Sequence, residues 1–137
     1  PAQQGVSPLA KVALGLLILA SVFYGYKFMT RPKISTSDSD PGIKIIKELK
    51  MDQIEEWRVR KLDEKNGEGN SYQIKLTWSS EGLGKNEYKV KCVFHYYKDS
   101  QHQSQTTLSW RVDAASKEIL DENRAVKLFK AEDEESQ

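Results

Sequence analysis

Apolar and polar residues alternate in three different ways along the chain. From position 9 to 28 the apolar residues occupy every face, and the only charges are Lys11 and Lys27, one near each end. Over 41–51, Ile43, Ile46 and Leu49 recur at helical spacing with Ile45 beside them, while Lys44, Lys47 and Lys50 fall elsewhere. That period predicts an amphipathic helix of about three turns. Asp40 followed by Pro41 supplies its start, an N-cap acceptor and then a proline at the first helical position. Beyond it the period becomes two. Trp57, Val59 and Leu62 mark a first strand imperfectly, whereas Tyr72, Ile74, Leu76 and Trp78 alternate cleanly with Gln73, Lys75 and Thr77. Tyr88, Val90, Cys92, Phe94 and Tyr96 alternate with Lys89, Lys91, Val93 and His95, and Leu108, Trp110 and Val112 with Ser109 and Arg111. Four strands are predicted.

Residues 66–70, 80–86 and 98–105 separate these runs, short enough for hairpin connections and partly glycine-bearing. Consecutive hairpins make an antiparallel meander with one apolar and one wet face. A last helix is expected from about Asp121, as N-cap, through Ala125, Leu128 and Phe129, followed by a solvated acidic tail over 131–137. One helix, a four-stranded antiparallel sheet and a C-terminal helix describe an α+β domain whose helices pack on one face of a curled sheet. In element order this domain is similar to cystatin-like small domains.

The segment 9–29 reads as a single transmembrane helix. At about 1.5 Å per residue, twenty residues span roughly 30 Å, the thickness of a bilayer's hydrocarbon core. Lys11 and Lys27 can snorkel to the two interfaces, and Tyr24 and Tyr26 suit an aromatic belt. A core helix apolar on all sides would need a larger domain to cover it, and the apolar run is long for a cleaved signal, so a retained anchor is expected. Type IV pilins also join an apolar helix to a β-rich domain, but they carry a glutamate near the fifth position, where this chain has Gly5 after a polar start. Ser21 and Gly25 stand at small-xxx-small spacing and are the candidate packing face for a neighbouring transmembrane helix. The predicted layout is a polar tail over 1–8, the span over 9–29, a flexible tether over 30–40 rich in serine, proline and acid, the α+β domain over 41–130, and the acidic tail.

Composition narrows the partners and the chemistry. Twenty-one basic and 20 acidic residues leave a net charge of +1, without the single-sign field that draws a protein onto nucleic acid, so no nucleic-acid partner is expected. Cys92 is the one cysteine, which excludes an intramolecular disulfide and a cysteine-built zinc site. It falls on the apolar side of its strand, and His95, three residues on, falls on the opposite face, so no Cys–His pair is expected from that strand. His95 and His102, with Asp99 between them, are the chain's nearest approach to a metal-ligating set; they read as a polar strand face and a polar loop. The paired glycines at 67 and 69 and at 82 and 84 sit in turns without a phosphate-binding fingerprint, and no carboxylate pair stands apart for acid–base work. No enzyme activity, cofactor or metal is predicted. Trp57, Trp78 and Trp110 fall on apolar faces as core, and any one left accessible becomes the candidate interface.

Orientation is pulled two ways. Lys27, Arg31 and Lys33 outnumber Lys11 and the amino terminus, which by the positive-inside rule puts the domain in the cytoplasm. The plan of a short tail, one anchor, a serine-rich tether and a small β-rich domain favours the extracytoplasmic, periplasmic side, and that side is the expectation. The role expected is a single-pass accessory or structural subunit of a larger membrane complex of the secretion, respiratory or photosynthetic kind. Its partners would be the membrane and other subunits. The alternative is an independent membrane-tethered domain holding a peptide or small ligand between sheet and helix.

Overall fold

The computed structural model describes residues 34–67 and 69–135, together with Leu16 and Ile18, which are helical. The rest of the expected span over 9–29, Ser21 and Gly25 included, lies outside the described residues. Among the described residues no helix is long and apolar enough to cross a membrane. The chain divides into two units, Pro1–Pro32 and Lys33–Gln137, and the fold below is that of the second.

A short strand, β1 (Ile34–Ser35), precedes α1 (Pro41–Asn66), a 26-residue helix. Asp40 caps α1 as expected: its Oδ1 accepts from the N–H groups of Gly42 at 2.9 Å and Ile43 at 3.1 Å. The helix does not stop near position 51. It continues through Trp57, Val59 and Leu62, so the first predicted strand is corrected to helix. The physical reason is that the stripe of Ile43, Ile46, Ile54 and Trp57 keeps helical spacing, all four fully buried. No glycine or proline interrupts residues 43–66, and Arg58–Glu55 and Lys61–Glu64 pair three residues apart on the helix surface. Leu49, expected on the buried stripe, is instead 53% exposed, while Ile45 is buried.

Three long strands follow: β2 (Tyr72–Gly84), β3 (Glu87–Lys98) and β4 (Gln101–Asp113). They join through tight turns at Lys85–Asn86 and Asp99–Ser100, all four residues with positive φ, as the twist-matched two-residue hairpin turn requires. Most of 80–86 and 98–105, expected as loops, is therefore strand. After a turn in which Asp113 Oδ1 accepts from the N–H groups of Ala115 and Ser116, β5 (Glu118–Glu122) adds an edge that the sequence reading did not anticipate. The sheet thus has five antiparallel strands in the order β1-β2-β3-β4-β5. A four-stranded meander is corrected to five strands, and α+β stands.

Helix α2 (Arg124–Glu135) begins after Asn123, not at Asp121, which lies in β5. Asn123 Oδ1 accepts from Val126 N–H at 3.1 Å, while its side-chain amide donates to the Thr107 carbonyl at 2.8 Å, so the cap also ties α2 to β4. Residues 131–135, expected as solvated tail, are the last turn of this helix. Both helices pack on the face of the sheet that carries Ile74, Val90, Cys92, Phe94, Leu108, Trp110 and Val112. Phe129 fills the space between them, stacked on Trp57 at 5.2 Å and tilted against Phe94 at 5.9 Å. Gly42 lets the first turn of α1 touch the sheet: a Cβ there would lie 2.8 Å from Tyr88 Cβ and Val90 Cγ2 and 2.9 Å from Ser80 Oγ.

Candidate functional site

The three tryptophans separate by place. Trp57 and Trp110 are 0% and 1% exposed and belong to the core. Trp78, on β2, is half-buried, with the Lys47 ammonium of α1 5.2 Å from its ring centroid. β1 pairs with β2 only at Ser80 and Glu81, so Trp78 lies on a stretch of β2 whose outer edge no described strand covers. Of the three, it is the one a partner can touch.

The second feature is the sheet face away from the helices. Because side chains alternate along a strand, the core positions of β2, β3 and β4 leave their neighbours on the opposite face. The register places Thr77, Val93 and Thr107 in one row across its middle, Lys75, His95 and Gln105 in the next, and Gln73, Tyr97 and His102 beyond. Among the described residues no helix packs there. An irregularity in the β3–β4 register falls between Tyr96 and Tyr97, beside the histidines.

On that face the two histidines meet. His95 Nδ1 and His102 Nε2 are 3.3 Å apart, and His95 Nε2 lies 2.9 Å from Thr77 Oγ1. The Tyr97 ring stands edge-on to His102 at 5.4 Å, and the Lys75 ammonium sits 5.0 Å over Tyr97. Asp99 occupies the adjoining turn. Thr77, Tyr97 and Lys75 did not stand out in the sequence. The usable signal was the turn: a two-residue loop at Asp99–Ser100 places Tyr97 opposite His102 and brings His102 within reach of His95.

A third cluster joins the helices. Trp57 Nε1–H donates to Asp133 Oδ2 at 2.7 Å, and Arg60 donates to Asp133 Oδ1 and, at 3.2 Å, to the Phe129 carbonyl. Partial burial pulls the Asp133 carboxyl upward, but the hydrogen bonds from Trp57 and Arg60 and the guanidinium charge outweigh it and hold the group below the usual carboxylate range. Lys61, between Glu64 and Glu132, is pulled down by burial and pushed further up by those two carboxylates, for a net rise. Each charged side chain here meets an opposite charge in the fold, while Arg60 Nε itself has no hydrogen-bond partner; the pairing is the chemistry of a clamp.

Burial pushes the Cys92 thiol up to about 12, so at neutral pH it is a protonated, unreactive core side chain. Hollows of about 290 Å³, beside Lys89, Arg111 and Asp121, and about 330 Å³, beside Asn66, Tyr97 and Asp99, indent the surface. A smaller one of about 200 Å³ lies beside Lys61, Thr106 and Phe129. What the arrangement offers is one histidine pair on the open sheet face and, on the helix side of the sheet, one partly exposed tryptophan beside the uncovered edge of β2. The chain matches no protein-family model, no curated protein and no solved structure.

Proposed function

We propose that the chain is a single-pass, membrane-anchored accessory subunit of a larger membrane complex of the secretion, respiratory or photosynthetic kind. Its domain docks on the extramembrane parts of neighbouring subunits, on the extracytoplasmic side, without catalysis of its own and without a nucleic-acid partner. The observation that carries this reading is the one-sided sheet. Strands of 12 and 13 residues are covered by helices on one face and present the other, with the outer edge of β2 from Tyr72 to Ser79 beside it. An uncovered face and an open strand edge are surfaces on which another chain can pack or pair. The anchor over 9–29 and the small-residue pair Ser21 and Gly25 support the same reading from the sequence.

The groove-binding alternative needs space between sheet and helices. That space is occupied by Phe129, packed between Trp57 and Phe94, which supports docking over ligand capture. The test is purification at native expression in mild detergent, with Val93→Glu as the face variant. Val93 sits between Thr77 and Thr107 on the open face, so the charge should abolish co-purification and leave the unfolding midpoint near that of the parent. A lone monomer from native membranes overturns the proposal, as does a Val93→Glu variant that retains every partner. A reporter fused at Gln137 and active only in the cytoplasm would reverse the assigned side.

A further inference from the structure

The histidine pair on the open sheet face has the spacing of a chelate. We infer that His95 and His102 form a two-imidazole site for a late first-row divalent metal ion, for which Zn²⁺ is the probe. The argument begins with distance. Two metal–nitrogen bonds of about 2.0–2.1 Å meeting at the tetrahedral angle put their nitrogens about 3.3–3.4 Å apart. His95 Nδ1 and His102 Nε2 are 3.3 Å apart. Without an ion, the same separation is that of a long hydrogen bond between two ring nitrogens.

Orientation and tautomer follow from the neighbours. A metal-bound imidazole normally donates its other ring N–H to an oxygen, which fixes the ring. His95 has that oxygen in place, Thr77 Oγ1 at 2.9 Å from Nε2. Without metal, one ring proton lies between the two histidines. With metal, the His95 proton resides on Nε2 and is accepted by Thr77, so Nδ1 presents its lone pair and no proton need be released. Tyr97 holds the His102 ring from its edge. His95 and His102 sit on adjacent, hydrogen-bonded strands joined by the tight turn at Asp99–Ser100, so the spacing is set by the sheet.

Among the described residues no third His, Cys, Asp or Glu completes a cluster. The site therefore contributes two ligands and leaves the other two positions of a tetrahedral ion to water, one protein ligand fewer than an open catalytic zinc site. Lys75, opposite His95 in the register, is a cation beside it, and its ammonium rests over Tyr97. The inference does not depend on the docking reading, because a water-completed site binds metal in the isolated protein.

The experiment uses the full chain in detergent, without a histidine tag and stripped with chelator, titrated with Zn²⁺ by calorimetry and by chemical shifts of the two imidazoles. The parent should bind one Zn²⁺ per chain, with both rings shifting together. His95→Gln and His102→Gln should each weaken binding at least tenfold with unchanged circular dichroism. Thr77→Val, which removes only the orienting oxygen, should weaken it less than either. Lys75→Gln should tighten it. No saturable binding by the parent, or equal binding by the parent and both histidine variants, overturns the inference and leaves an imidazole–imidazole hydrogen bond.

Discussion

Replacing Asp133 by alanine tests whether the end of α2 is part of the fold or a solvated tail. Asp133 is on the stripe of Val126 and Phe129, both buried, one turn further on. Its carboxylate accepts from Trp57, which is fully buried and has this carboxylate as its hydrogen-bond acceptor. Leaving that N–H unsatisfied costs about 1–3 kcal/mol. The Arg60 contact adds less, about 0–1 kcal/mol, because both side chains are about a quarter exposed and Arg60 keeps the Phe129 carbonyl and Glu132. The sum is about 1–4 kcal/mol. A solvated acidic tail predicts under about 0.5 kcal/mol, erased by salt.

The assay is urea unfolding of the full chain in detergent, followed by tryptophan fluorescence. Asp133→Asn, which keeps an oxygen for Trp57, should lose about 1 kcal/mol. In the Asp133→Ala background, Trp57→Phe should cost less than it does in the parent, since it removes the stranded donor; that non-additivity is the signature of the contact. The carboxyl is held below its unfolded value, so its contribution is present above about pH 4 and is lost as pH falls through the folded value. The difference between parent and Asp133→Asn should therefore shrink on acidification. A loss under about 0.5 kcal/mol for Asp133→Ala, or additive behaviour with Trp57→Phe, would refute the clamp.

Other consequences can be checked on the same preparation. Gly42→Ala gains up to about 1 kcal/mol of helix propensity but drives a Cβ into Tyr88, Val90 and Ser80; overpacking of about 1–3 kcal/mol should win, and an equally stable variant in urea would show that the contact relaxes. Ser100→Gly should raise stability by up to about 1–2 kcal/mol, because Ser100 has φ 66° in the Asp99–Ser100 turn; a loss in thermal unfolding would contradict the turn geometry. Cys92 should resist an uncharged maleimide at pH 7.5 and react only as urea unfolds the domain. Since its folded value is raised to about 12, its contribution to stability is complete below the unfolded thiol value and fades as pH rises towards 12, a slope that Cys92→Ala should remove. Lys61, also raised, should add to the same alkaline loss through its pairs with Glu64 and Glu132.

The long strands were legible because their alternation is strict: Tyr88 through Tyr96 could form one face only, and Cys92 and His95 fell on opposite sides as the spacing requires. The second half of α1 was not, because Trp57, Val59 and Leu62 are spaced ambiguously. The stripe of Ile43, Ile46, Ile54 and Trp57 carries the helix on, and the contact that buries its last member, Trp57 against Phe129 and Asp133, lies in no local window. The same contact explains why the acidic end of the chain carries no local sign of helix, since an aspartate on a buried stripe looks like tail in the absence of its tryptophan partner. Strand β5, with Glu118, Asp121 and Glu122 among five residues, has no alternation to read and is held by the Asp113 turn and by pairing with β4.

A one-sided sheet separates two kinds of information. Inward positions of β2, β3 and β4 must be apolar and of the right volume, so they speak in the sequence as a period of two and say nothing about partners. Outward positions are released from the core, and what they do depends on register, which the sequence specifies only through the turns and irregularities. The histidine pair shows the consequence. His95 and His102 are seven residues apart, unremarkable as a motif, and become neighbours because Asp99 and Ser100 accept positive φ. A one-residue change in that turn would move His102 to the core side of the sheet while leaving the composition of the segment unaltered. Function on such a face is therefore encoded in the turn as much as in the residues that would carry it, and Asp99–Ser100 is as much a determinant of the site as either imidazole.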